Sequence, residues 1–375
     1  MNLFEYQAKE LFREAGIPVP QSRLITGTED IAQAAKSLPL PWMLKAQVLQ
    51  GGRGKANLIR KAADLQQAQR EASDLFASPT GVRTVLVEEI VPFTRELYVS
   101  VTVDPVEAKI LVLASSSGGV EVETLSQSAP EKLLSLHLEP GKKLLPFQAR
   151  NLAYGLGLEG KSAISCSTVL VKLFELCAGA DAELAEINPL FVTSEGEVIA
   201  GDGKIIIDDN AVFRQPRFQM TRDHFSSEVE YAAAQEGIPY LQFDGDISLM
   251  CAGAGLTTTV FDLIHDEGSS VANYLEFGGP NYRKAVRAME LCLANPSKVI
   301  LIVTFGTIAR ADVMAQGIVD AVRQLKPDRP VVTCIRGTNE EEAFAVLRTA
   351  GLEPIFDTEE AVKKAVALTR GEGQV

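Results

Sequence analysis

Three oxygen-bearing side chains, Glu186, Asn188 and Asp202, flank a short hairpin signal. The stretch runs Glu186-Ile187-Asn188-Pro189-Leu190, then two apolar runs around Ser194-Glu195-Gly196, then Asp202-Gly203-Lys204. Pairing those runs through the Ser-Glu-Gly turn brings the three side chains towards one edge. Two carboxylates and an amide oxygen are hard ligands that suit Mg2+, which takes a few protein oxygens and completes its shell with phosphate and water. The competing reading is two strand-end charges and an Asn-Pro turn starter.

Earlier in the chain, Lys45 interrupts the strand-like run Trp42–Val48, and Gly51-Gly52-Arg53-Gly54-Lys55 follows. Glycines let backbone amides approach a phosphate, and the lysine and arginine add charge. The spacing is not that of a P-loop, which needs Gly-x4-Gly-Lys-Ser/Thr, and a solvated hairpin tip is the plain alternative. Glu88 ends the strand 84–89 and Glu96 opens the strand 95–104, where acceptors could meet an adenine amine and a ribose, or could merely protect a sheet edge. Two glycine-led helix starts, Ala252-Gly253-Ala254-Gly255 and Gly306-Thr307-Ile308-Ala309-Arg310, offer free N–H groups to an anion, or are simple tight turns. The histidines His137, His224 and His265 stand in no context that suggests a nucleophile.

Two kinds of pattern position these residues. Over 1–236 the spacing predicts helices at 2–15 (Asn2 as cap, Glu5 completing a capping box), 29–37, 62–76, 147–157 and 163–180. It predicts strands at 42–48, 84–89, 95–104 and 109–114, the last three forming an antiparallel meander, and a linker helix at 222–238. Over 237–375 strands and helices alternate regularly, with strands beginning near 246, 270, 298, 330 and 353. Continuous apolar strands with short loops predict a parallel sheet covered on both faces, a flavodoxin-like doubly wound domain whose ligands sit at the ends of strands one and three. The fold class is therefore α/β and α+β in two domains, 1–236 and 237–375.

The composition narrows the function. The chain has 375 residues, 46% hydrophobic and 23% charged, so it can bury a full core in two or three domains. A net charge of −13 argues against nucleic acid as a partner. No apolar run approaches 18 residues and no secretory leader is visible, so no membrane is expected. The scattered cysteines (Cys166, Cys177, Cys251, Cys292, Cys334) read as reduced core residues of a cytoplasmic protein.

The order of these features resembles the ATP-grasp fold, and more closely the β subunit of succinyl-CoA synthetase, the ADP-forming succinate–CoA ligase. The words that carry the resemblance include Met1-Asn2-Leu3, Glu5-Tyr6-Gln7-Ala8-Lys9, Gly51 to Ala56, Glu96-Leu97-Tyr98 and Gly118-Gly119-Val120-Glu121. They continue through Glu186 to Leu190, Asp202 to Lys204, and Asn210 to Pro216. The resemblance implies that Lys45, Gly52, Arg53 and Gly54 contact ATP phosphates, that Glu88, Val91 and Glu96 complete nucleotide binding, and that Asn188 and Asp202 hold Mg2+. Glu186 would face a phosphohistidine supplied by an α subunit that also carries the CoA site. The helix starts at Ala252, Gly253, Gly306, Thr307, Ile308 and Ala309 would meet the phosphate and the acid. ATP/ADP, with GTP the less expected nucleotide, and CoA are then substrates.

The sequence departs from that pattern in one region. The family's Val-Asn-Gly-Ala-Gly becomes Cys251-Ala252-Gly253-Ala254-Gly255, its Asp-Val-Gly-Gly-Gly becomes Glu276-Phe277-Gly278-Gly279-Pro280, and its Phe-Gly-Gly-Ile becomes Phe305-Gly306-Thr307-Ile308. The run 272–279 also resembles the citrate-binding region of ATP-citrate lyase. The nucleotide words are unchanged. The expectation is an acid–CoA ligase subunit acting on a short carboxylic acid, succinate by default, or citrate, malate or a sulfonated short acid. A non-catalytic nucleotide-binding subunit is the third reading.

Overall fold

The computed structural model describes residues 1–49, 53–54, 56–120, 122, 124, 127, 130–306 and 309–372. The chain falls into two compact units, Met1–His224 and Phe225–Val375.

In the first unit, α1 (Glu5–Glu14) turns Ala8, Leu11 and Phe12 inward. Asn2 does not cap it. That residue bridges to Ile206, and the Gln7 side chain accepts from the Phe4 N–H instead (2.9 Å). A four-stranded antiparallel sheet follows, built from β1 (Ser22–Ile25), β2 (Trp42–Ala46), β3 (Ile59–Ala62) and β4 (Val85–Glu89) in the order β1-β4-β2-β3. Its core is Trp42 and Leu44 against Ala68, Ala72 and Leu75 of α3 (Leu65–Phe76), with the short α2 (Ile31–Ala34) beside it. Asp64 caps α3 by accepting from the Gln67 N–H at 2.8 Å.

The predicted meander through 84–114 is corrected: β4 belongs to this small sheet, while β5 (Arg95–Asp104) and β6 (Lys109–Ser115) belong to another. Pro92 lies between the two and has no N–H for a ladder. The second sheet adds β7 (Leu133–Leu138), β8 (Ala182–Val192), β9 (Val198–Ala200) and β10 (Lys204–Ile207), in the order β10-β8-β5-β6-β7 with β9 on the far end of β8. Helices α4 (Pro146–Gly155) and α5 (Gly160–Gly179) also belong to this unit. By length and apolar composition α5 could cross a membrane, but Cys166, Leu170 and Leu173 bury it in this core.

The β5–β8 register slips between Leu97 and Val99. Ile187 and Leu190 both stay buried across the slip, and Glu186, Asn188 and Phe191 remain on the opposite, half-buried face. Gly118 packs directly on β5, since a methyl group there would lie 2.5 Å from the Leu97 carbonyl oxygen.

The second unit is a five-stranded sheet in the order β11-β13-β12-β14-β15: β11 (Tyr240–Gln242), β12 (Ile247–Cys251), β13 (Val271–Glu276), β14 (Val299–Gly306) and β15 (Val331–Gly337). All but the edge strand β11 run parallel. The parallel strands follow the doubly wound order, with β12 and β14 side by side. The expected fifth strand shrinks to one bridge between Thr333 and Pro354, because a proline cannot extend the ladder. Helix α6 (Glu228–Gln235), expected within a linker, packs Ala233 into this unit's core. Helices α7 (Ala254–Asp266) and α11 (Thr358–Thr369) bury Val260, Ile264, Ala361 and Ala365 on one face of the sheet. The other face carries α8 (Ala285–Leu293), α9 (Ala311–Leu325) and α10 (Glu340–Arg348). All five thiols are free and buried, and burial pushes those of Cys166 and Cys177 up to about 12.

Gly118→Ala is expected to lose about 1–3 kcal/mol in urea unfolding, because a Cβ at that position meets backbone that cannot rotate away. A loss below about 0.5 kcal/mol would show that the segment relaxes freely.

Candidate functional site

Six charged side chains meet in the first unit. Lys45 is carried inward by β2 and Glu88 by β4, their strands neighbours in register. Glu5 and Lys9 lie one turn apart on α1. Arg53 comes from the loop after β2, and Asp202 from the connection between β9 and β10. Glu5, Lys9, Lys45 and Glu88 are buried, whereas the Asp202 side chain keeps 25% of its exposure.

Each charge has partners. The Lys45 Nζ donates to Glu5 Oε1 at 2.9 Å and to the Gly201 carbonyl at 2.7 Å, and lies 2.7 Å from Glu88 Oε2. Lys9 Nζ is ion-paired with Glu88 Oε1 and with Glu5 Oε1 (2.9 Å), and donates to the same Gly201 carbonyl at 2.8 Å. Arg53 donates through one nitrogen to Glu5 Oε2 at 2.5 Å and through another to both oxygens of Asp202 at 2.8 and 2.7 Å. Burial alone would raise the Glu5 carboxyl, but Lys45, Lys9 and Arg53 overcome it and hold the group well below its ordinary value. Lys45 is likewise pushed down by burial and more strongly up by Glu5, Glu88 and Asp202. Asp202 moves the other way, raised by burial and by the charge of Glu5 against the pull of Arg53.

The larger sheet presents a second group. The Tyr98 hydroxyl on β5 lies 2.9 Å from the Ser100 hydroxyl and 3.2 Å from Glu186 Oε2, so its one proton serves one of the two at a time. The Asn188 amide oxygen accepts from the Gly119 N–H at 2.7 Å, and its nitrogen donates to the Val120 carbonyl at 3.0 Å. Glu96 aims at the same loop, since a methyl on Gly119 would lie 3.2 Å from its Oε2. Lys204 stands opposite Glu186, and Gly201 N–H bonds the Pro189 carbonyl at 2.9 Å, so the connection carrying Asp202 passes residues 187–189. Val91 is half-buried just beyond β4. Gly54 is in the turn after Arg53, and Gly52 lies outside the described residues.

In the second unit, Gly253 caps α7 at the end of β12 with φ near +88°. Its N–H bonds both oxygens of Glu276 at 3.2 Å, the Gly278 N–H bonds Oε1 at 2.7 Å, and the Tyr274 hydroxyl donates to Oε2. Burial and Glu276 raise the Tyr274 hydroxyl well above its usual range, so it stays a donor. Ala252 packs beside Gly278, where a methyl would approach its Cβ to 3.2 Å. Gly306 ends β14, Ala309 is half-buried before α9, and Thr307 and Ile308 lie outside the described residues.

Residues 2–192 match the ATP-grasp domain family and residues 250–368 the CoA-ligase family. Over 371 residues the chain is 57% identical to a subunit of the ADP-forming sulfoacetate–CoA ligase of Bilophila wadsworthia, covering 99% of this chain and all of that one. A sulfoacetate–CoA ligase subunit from Acholeplasma is 56% identical over 99% of this chain and 92% of that one. The β subunit of ADP-forming succinate–CoA ligase from Ignicoccus hospitalis is 39% identical over 99% and 100%. Among solved structures, the ATP citrate lyase of Methanothrix soehngenii with citrate and coenzyme A superposes with a TM-score of 0.75 at 20% identity, covering 99% of both chains, a likeness of fold. The chain thus belongs to the ATP-grasp CoA-ligase family. It is a subunit of an ADP-forming acid–CoA ligase, an enzyme that works on nucleotide and CoA together with a partner subunit.

Two members of the charge cluster, Glu5 and Lys9, were not foreseen as site residues. Their i,i+4 spacing resembles an ordinary helix-surface pair, and only their place in the word Glu5-Tyr6-Gln7-Ala8-Lys9 hints otherwise. Lys9→Met leaves Glu5 and Glu88 short of a counter-charge and is expected to cost about 3–5 kcal/mol in urea unfolding at neutral pH. For Glu5 the folded carboxyl is depressed, so its contribution is complete above the ordinary value of 4.5 and fades as pH falls through its lower folded value. The stability gap between the native chain and Glu5→Gln is therefore expected to be flat above that value and to narrow below it. A gap as wide at about pH 3 as at neutrality would contradict the depressed value.

Proposed function

We propose that this chain is the nucleotide-handling subunit of an ADP-forming ligase whose acid carries a sulfonate, with sulfoacetate the first candidate. The observation that carries the reading is the gap in likeness. The two sulfoacetate–CoA ligase subunits share 57% and 56% of residues with this chain, the succinate–CoA ligase subunits 37% to 39%. The departures at Ala252, Pro280 and Thr307 support it, since they change the side chains on helix-start loops rather than the nucleotide words. A sulfonate is tetrahedral where a carboxylate is planar, and exchanging an amide for the methyl of Ala252 removes bulk beside Gly278.

In this reading Lys45, Arg53 and the glycines 52 and 54 hold the triphosphate, and Val91 and Glu96 complete the nucleotide contacts. Glu88, with both oxygens on lysines, acts by holding Lys45. Asn188 and Asp202 suit Mg2+: they offer an amide oxygen and a part-exposed carboxylate. Among the described residues no cluster of three histidine, cysteine or acidic side chains gathers to cage a metal, and Mg2+ needs none when phosphate supplies the other oxygens. When bound, the ion would neutralise phosphate charge. Glu186, held by Tyr98, faces a phosphohistidine supplied by the partner. ATP phosphorylates that histidine, the phosphoryl group passes to the acid's carboxylate to give an acyl phosphate, and the CoA thiolate displaces phosphate to leave the thioester. The chain's own contribution is positioning and charge stabilisation of the transferring group.

The test uses the chain co-expressed with its partner, given ATP, Mg2+, CoA and a panel of short acids, with acyl-CoA products read by mass spectrometry. Sulfoacetyl-CoA is expected to dominate. Succinyl-CoA as the main product would overturn the substrate reading while leaving the chemistry intact. In the same assay Asp202→Ala is expected to reduce acid-dependent ADP formation about 100-fold or more, and unchanged activity would sink the Mg2+ assignment.

A further inference from the structure

We infer that Glu5 is a positioning residue for the phosphate-binding cations, an inference that rests on reading Lys45 and Arg53 as the residues that meet the nucleotide's phosphates. Glu5 is 4% exposed. A glutamate in the first turn of a helix gains from the dipole while still in water, so its burial needs another reason: burying a carboxylate costs several kcal/mol unless its partners are well placed. Those partners are specific. Among the described residues, Glu5 is the carboxylate that touches both cations, Lys45 at 2.9 Å through one oxygen and Arg53 at 2.5 Å through the other. Glu88 reaches Lys45 and Lys9, and Asp202 reaches Arg53.

The elements give this bridge its meaning. Lys45 and Arg53 belong to the small sheet and the loop after it. Helix α1 belongs to the larger sheet, where Leu11 and Phe12 join its core and the preceding Leu3 N–H bonds the Ile205 carbonyl. Glu5 therefore fixes the aim of two cations on one sheet to the frame of the other. The sheet that it fixes them to is the one bearing Asn188 and Asp202. Lys9, one turn on, supplies a counter-charge from the same helix.

A positioning role and a mere charge-balancing role predict opposite signs. If Glu5 only neutralised Lys45 and Arg53, removing its charge would strengthen their hold on an anion. If it positions them, its loss frees both side chains and weakens that hold. The experiment measures ATP and ADP binding by calorimetry, and KM for ATP, CoA and acid, in the assembled enzyme. The variants are Glu5→Gln, and Glu5→Gln combined with Lys9→Met, which removes one charge of each sign and so protects folding. The positioning role predicts that both raise the nucleotide Kd and the KM for ATP about tenfold or more, leave KM for CoA and acid within about twofold, and that Glu5→Asp recovers part of the loss. Nucleotide affinity unchanged or tighter in the folded double variant would overturn the inference. Arg53→Ala in the same assay separates the two claims: unchanged nucleotide binding there would mean that the phosphate-site reading itself has failed.

Discussion

The first unit depends on one buried ion network. Three cations, Lys9, Lys45 and Arg53, face three carboxylates, Glu5, Glu88 and Asp202. Taking an ion out of water costs several kcal/mol, and neighbours repay it only when each charge finds a partner at hydrogen-bond distance. No element can meet that condition alone. Lys45 and Glu88 come from adjacent strands of the small sheet, Glu5 and Lys9 from α1, and Asp202 from the larger sheet, so the charges are satisfied only when the two sheets and the helix come together. The Gly201 carbonyl, accepting from both lysines, fastens the connection that carries Asp202 to the same point. Such a network contributes little net stability compared with an apolar core, but it is highly sensitive to the loss of any one member.

That sensitivity suits the chemistry proposed for the site. Lys45 spends its three N–H bonds on Glu5, Glu88 and the Gly201 carbonyl, so a phosphate can gain a direct bond from it only by exchange. Arg53 and Asp202 are in the same position with respect to each other. In the proposed reading, what the arginine gives up on Asp202 it regains on phosphate, and the freed carboxylate would be available to hold Mg2+. Mg2+ arriving with the phosphates would offset part of their charge, and the rest would fall on the cations. Glu5 and Glu88, buried more deeply, are the members best placed to stay fixed during such an exchange.

Much of this was legible in the sequence, and the reasons for the gaps are physical. The doubly wound unit showed itself because its strands are continuous apolar runs separated by short loops, a pattern local enough to count. The hairpin that carries Asp202 was visible for the same reason. The meander through 84–114 was misread because strand propensity does not say which sheet a strand joins. Five residues separate β4 from β5, yet Pro92 and the residues around it send them to different sheets. Strands β3 and β7 passed unnoticed because four to six residues with mixed polarity carry little periodicity. Glu5 and Lys9 were missed for a deeper reason. Their function exists only in the tertiary structure, where partners from β2, β4 and the β9–β10 connection converge on a helix whose own pattern explains a surface pair equally well.

The separate cores of the two units let each change its side chains without repacking the other. The clusters around Trp42 and around Leu170 and Leu173 lie in the first unit, and those around Ile264 and Met289 lie in the second. The ions around Lys45 all come from the first unit, and Ala252 packs beside Gly278 in the second; substitutions with no shared partners act nearly independently. Within the second unit the freedom is narrower. Glu276 accepts from the N–H groups of Gly253 and Gly278 and from the Tyr274 hydroxyl, which clamps the start of α7 to the loop after β13. Glu276 thus takes up the N–H groups of Gly253 and Gly278, so another anion could bond them only by displacing it.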